Sequence, residues 1–87
     1  MKLKYSFVFQ PLHTLTLAIT VGDDAKVFPG IIQLNDTGAE IMQLFRTDMS
    51  VDDAVTHMMS EYDADEVDIR NAVEGIVSML EEKELLE

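Results

Sequence analysis

Apolar residues fall at every second position in two early stretches of the chain. Tyr5, Phe7 and Phe9 alternate with Ser6, Val8 and Gln10, and Leu15, Leu17, Ile19 and Val21 alternate with Thr16, Ala18 and Thr20. Both read as half-buried strands with period two. Gln10-Pro11-Leu12-His13 is the predicted turn between them, and Gly22-Asp23-Asp24 ends the second. Pro29-Gly30 punctuates the approach to a third strand, Ile31-Ile32-Gln33-Leu34, which runs straight into Asn35-Asp36-Thr37-Gly38. There the apolar period changes from two to about 3.6, with Asn35 or Asp36 placed to cap a helix whose first turn holds Glu40.

Three helical stretches are predicted after that junction. The first runs from Thr37 to Phe45 and carries Ala39, Ile41, Met42, Leu44 and Phe45. Ser50 caps the second, with Asp53 at the capping-box position and Val51, Ala54, Val55, Met58 and Met59 as its apolar stripe. The third spans about Asp65 to Lys83, where Ile69, Ala72, Val73, Ile76, Val77 and Leu80 repeat at three and four. Leu85-Leu86 is then placed to fold back and close the domain. Strands first and helices second give an α+β class, with helices packed on one face of a small three-stranded antiparallel meander.

Length and charge narrow the function. The 87 residues suit a single domain, 1–87, and 47% of them are hydrophobic. With no cysteine, disulfides and thiolate metal sites are excluded, and a cytoplasmic interior suffices. No apolar run nears the roughly 18 residues of a membrane span, and no export signal is legible. The net charge of -11 is unevenly spread: residues 1–34 hold three lysines against two aspartates, whereas residues 35–87 hold three basic residues against fifteen acids. So acidic a helical half repels phosphate, which argues against nucleic acid as a partner.

Catalytic and metal chemistry find little support. Asp63-Ala64-Asp65-Glu66-Val67-Asp68 lacks the glycine and the later glutamate of a calcium loop, and reads as a helix start stabilised by carboxylates. His13 and His57 are too far apart to form a paired zinc motif. Ser50, Ser60 and Ser78 have no histidine at a suggestive spacing, and no phosphate-cradling glycine loop is present. No enzyme activity, metal or cofactor is expected. The methionines sit mostly on helical stripes and read as core filling. An acyl-carrier reading, suggested by size and acidity, fails because Asp48-Met49-Ser50 lacks the Asp-Ser-Leu order of a phosphopantetheine site.

One stretch does suggest binding. From Val27 to Asn35 there is no charge. Natural sheet edges are usually protected by charge, proline or bulges, so if this third strand lies at an edge it is a template for an added strand. The residues alone leave it central or peripheral.

The segment Gly30-x-x-x-Leu34-Asn35-x-Thr37-Gly38-x-x-Ile41-x-x-Leu44 resembles the PqqD-like family, also called RiPP recognition elements. Val51-Asp52-Asp53-Ala54-Val55 with Glu61-Tyr62 is similar to that family's second helix, and Ala72-Val73-x-x-Ile76-Val77-x-x-Leu80-x-x-x-Glu84-Leu85-Leu86 to its closing pattern. Ala72 stands where the family usually has Asp, and Glu84 where it has Gly. The resemblance implies a winged-helix-turn-helix-like domain of three strands and three helices. It also implies binding of a precursor's leader peptide and presentation of it to a modifying enzyme such as a radical-SAM maturase, as in pyrroloquinoline quinone biosynthesis. The leader would add beside Ile31, Ile32, Gln33 and Leu34, with Ile32 and Leu34 on the core side. Ile69, Ala72, Val73 and Ile76 would wall the groove, and Glu66, Asp68 and Arg70 would tune the leader charge accepted. Proline at Ile32 would test this if that amide faces outward. A protein–protein adaptor without leader specificity is the alternative function, and monomer and homodimer are both open.

Overall fold

The computed structural model describes residues 1–28 and 30–87, so the Pro29 half of the expected Pro29-Gly30 turn lies outside the described residues. Strands β1 (Phe7–Leu12), β2 (Leu15–Thr20) and β3 (Ile31–Asn35) form an antiparallel sheet in the order β1-β2-β3. Helices α2 (Asp36–Leu44), α3 (Val51–Glu61) and α4 (Glu66–Glu82) follow. A one-turn helix α1 (Asp24–Val27) interrupts the β2–β3 connection. It was illegible in the sequence because four residues display no period.

The first turn sits later than expected. Leu12 pairs with Leu15, so the loop is His13-Thr14, with His13 at φ 57, and Pro11 and Leu12 belong to β1. A two-residue loop makes Leu12–Leu15 a hydrogen-bonded pair. Counting back, Pro11 occupies a non-bonded position on an edge strand, where its missing N–H is not needed.

The core side of β2 is its small side. Thr16, Ala18 and Thr20 are buried against the helices, whereas Leu15 and Val21 are exposed and Leu17 and Ile19 half-buried on the other face. α2 packs on β2 and β3 and brings the fully buried Ile41, Met42 and Phe45 to that layer. Small residues facing large ones let the layers interdigitate. The Thr20 hydroxyl donates to the Phe28 carbonyl at 2.6 Å, so its burial leaves no orphan.

Caps fix where the helices begin and end. The Asn35 side chain accepts from the Gly38 N–H at 2.6 Å and the Ser50 hydroxyl from the Asp53 N–H at 3.0 Å. These are the donors that helix starts leave free. α4 ends differently. The N–H of Glu84 donates to the Glu81 carbonyl and that of Leu85 to the Leu80 carbonyl, with Glu84 at φ 58 and both leucines fully buried. This is a Schellman ending with a glutamate in the left-handed position that glycine usually takes. Relieving that conformation is expected to matter: Glu84→Gly should stabilise the fold by about 1 kcal/mol, raising the melting temperature by roughly 4–8 °C in calorimetry. Unchanged melting would show that Glu84 is unstrained.

The tail then closes the domain. Leu3 bridges Leu86 in antiparallel fashion, and Leu3 and Leu85 are both buried. Among the described residues no helix is long and apolar enough to cross a membrane.

Candidate binding site

β3 lies at an edge, with β2 on one side and no strand on the other among the described residues. Its side chains alternate across the sheet: Ile32 and Leu34 are each 6% exposed on the core side, and Ile31 is 59% exposed on the opposite face, where Gln33 is exposed too.

Ladder parity decides which backbone groups are free. Since Leu12–Leu15 is a bonded pair, Leu15, Leu17 and Ile19 turn their N–H and C=O groups toward β1. Thr16 and Ala18 therefore bond across to their β3 partners Leu34 and Ile32, and the pairs Leu15–Asn35, Leu17–Gln33 and Ile19–Ile31 are non-bonded. The outward-facing groups are the amides of Ile31, Gln33 and Asn35 and the carbonyls of Ile31 and Gln33, the Asn35 carbonyl belonging at the N-cap to the start of α2. The premise that the Ile32 amide faces outward is thus corrected: it faces β2. The edge carries neither charge nor proline from Ile31 to Asn35, unlike the β1 edge, which holds Pro11.

A trench continues from the end of this edge. One hollow of about 220 Å³ lies between Asn35 and Gly38 on one wall and Ala72, Gly75 and Ile76 of α4 on the other. A second, of about 230 Å³, extends along α4 past Ile69 and Asp68 to Met58 and Tyr62. Thr37, Ile41 and Ala72 line both. The exposed methyl of Ala72 therefore sits where the hollows meet, and a larger side chain there would close the passage. The linings are dominated by carbon, with Asp68 at the rim.

Of the helix positions singled out in the sequence, Ala72, Ile76 and Ile69 line this trench, whereas Val73 is fully buried in the core and offers no surface. Thr37, Gly38, Ile41 and Gly75 were missed. Gly75 carried a usable signal, since glycine inside a helix costs about 1 kcal/mol and a Cβ there would meet nothing within 4 Å. Glycine here is not demanded by packing.

Gly38 is different. A Cβ on it would lie 2.9 Å from the capping Asn35 Oδ1 and 3.2 Å from Ile76 Cδ1. Gly38→Val should therefore break the cap and push Ile76 away, costing about 2 kcal/mol in chemical denaturation. An unchanged midpoint would mean that α2 and α4 are not held this close.

The charged groups around the trench are partly committed. Arg70 donates to Asp52 at 2.9 Å, tying α4 to α3, and that hydrogen bond is the main reason its pKa is raised. Tyr62 donates its hydroxyl to Glu40, which raises the Tyr62 pKa and fixes the end of α3 over α2. Asp68 faces the second hollow. Among the described residues no group of three or more His, Cys, Asp or Glu side chains could hold a metal ion.

The family described as coenzyme PQQ synthesis protein D (PqqD) matches residues 22–86. No curated protein sequence matches. A solved structure described as TbiB1 in complex with the TbiA(beta) leader peptide is similar in fold, with a TM-score of 0.70 and 20% sequence identity over 100% of this chain and 95% of that one.

Proposed function

The chain belongs to the PqqD family, and from that premise we propose that it is a non-catalytic domain that binds the leader of a ribosomally made precursor peptide and presents it to a modifying enzyme. The observation that carries the reading is the free β3 edge ending in an apolar trench. An extended peptide laid along β3 would find the amides of Ile31, Gln33 and Asn35 and the carbonyls of Ile31 and Gln33 already aligned. Strand addition gains affinity from main-chain bonds and selectivity from pockets for alternate side chains. The side chains that such a strand turns toward the helices would enter the trench flanking Ala72. The neighbour of like fold is described with a leader peptide bound, which supports a leader peptide as the ligand.

The ladder and the trench support the following site residues. Ile31, Gln33 and Asn35 supply backbone contacts. Ile32 and Leu34 hold the strand in register from the core side. Ile69, Ala72 and Ile76, with Thr37, Gly38 and Ile41, receive the anchors. Asp68 is the charge best placed to read a basic leader residue, and Arg70 acts by holding α4 to α3.

Calorimetric titration with the small peptides encoded beside this chain's gene tests the proposal. Binding of one leader at micromolar affinity or better, lost when its apolar residues are replaced by serine, is the expected result. Heats that stay at the dilution level for every peptide would contradict it.

A further inference from the structure

Tyr62 stands between two hollows. It lines the second hollow of the trench, beside Met58, Ala64 and Ile69, and also a wider one of about 490 Å³ on the other flank of α2, lined by Phe9, Pro11, Gln43 and Arg46. Among the described residues no other lines both. The two spaces differ in chemistry. The trench side is almost wholly carbon, whereas Asp36, Glu40, Gln43 and Arg46 give the other a polar and charged wall. The ring that separates them is held at both ends. Its backbone N–H donates to the Met58 carbonyl at 2.9 Å, where α3 stops, and its hydroxyl donates to Glu40 on α2. A side chain with two χ angles and a bonded tip turns aside only by breaking that bond. Tyr62 is nevertheless 40% exposed, so filling the core does not account for it.

We infer that Tyr62 is a specificity-determining residue, a partition that closes the trench at its far end and sets the largest leader side chain accepted there. The inference rests on the leader-binding reading given above. An extended peptide sets same-face side chains roughly 6.6 Å apart and α4 rises about 5.4 Å per turn, so two consecutive inward side chains of a leader match the two hollows along α4. With Tyr62 in place the row stops at two.

A side chain too large for the second hollow must press on Met58, Ile69 and the pinned ring, and overpacking of that kind is unfavourable. Removing the ring joins the hollow of about 230 Å³ to the one of about 490 Å³, so that a large side chain extends over α2 without strain. A purely structural role makes a different prediction. If the ring only tied α3 to α2, its loss would weaken every leader alike, whereas loss of a partition changes their ranking by size.

Calorimetry on the whole chain tests this, using the leader that binds in the titration above and variants of it with each apolar residue replaced in turn by tryptophan. At one leader position tryptophan should cost the parent at least about tenfold in affinity, and Tyr62→Ala should recover most of that loss there and at no other position. Glu40→Ala, which frees the tip of the ring, should recover part of it. Glu40→Gln, which keeps an acceptor for the hydroxyl, should match the parent. Tryptophan variants that all bind the parent without loss overturn the inference and leave the leader-binding reading intact. So does a folded Tyr62→Ala that keeps the parent's ranking at every position or, should that variant fail to fold, a Glu40→Ala that keeps it. Absence of binding by the unaltered leader overturns both.

Discussion

Replacing Gln33 by proline is expected to abolish leader binding while leaving the fold in place. The Gln33 N–H points away from β2, so no ladder bond within the domain is lost, and its side chain is on the exposed face. The bound leader would lose one donor and leave a carbonyl facing a pyrrolidine ring. An unmade bond of that kind costs about 1–3 kcal/mol, and the register on either side suffers too. Together, about 2–4 kcal/mol corresponds to roughly 30- to 1000-fold weaker binding in calorimetry. The neighbouring Ile32→Pro should do the opposite. It removes a donor to β2 and a buried side chain, which is enough to unfold much of a marginally stable domain. Equal effects of the two variants on folding would show that the ladder parity is misassigned.

Ala72→Phe is the second large effect. The position is exposed and lines both hollows, so an aromatic ring there fills the trench without displacing core atoms. Stability should change little. A leader that loses burial of one apolar anchor forfeits about 1.5–3 kcal/mol, or roughly 10- to 150-fold in affinity. Val73, one residue along, is fully buried, and Val73→Ala should instead lower stability and leave binding nearly unchanged in the folded fraction. The contrast between the two separates trench from core.

Much of the architecture was legible because its signals are local. Period two marked the strands, Asn35 and Ser50 announced helix starts, and the three-and-four repeat of Ile69 through Leu80 located α4. Leu85-Leu86 closed the domain as read. The glutamate standing for glycine at position 84 proved to occupy a left-handed backbone, which explains the glycine in the pattern this chain resembles. Periodicity could not show which face of β2 is buried. Leu15, Leu17, Ile19 and Val21 alternate as well outside as inside, and the outcome depends on what α2 brings to the layer. Nor could it show the direction of the Ile32 amide, which follows from the length of the first turn. That length was misread because Pro11 looked like a turn residue and is an edge residue. Thr37 was read as a helix start and Ile41 as part of an apolar stripe, and that they line the trench with Gly38 appears only once α4 lies across them.

The central claim is that a leader joins the sheet at β3. Residue-resolved amide hydrogen exchange on the domain, free and leader-saturated, measures this most directly. The Ile32 and Leu34 amides should be protected in both states, and those of Ile31, Gln33 and Asn35 should exchange freely without leader and slow at least about tenfold with it. Saturable leader binding that leaves the Gln33 amide exchanging at its free rate would contradict the account, because the peptide would then be held somewhere other than the open edge.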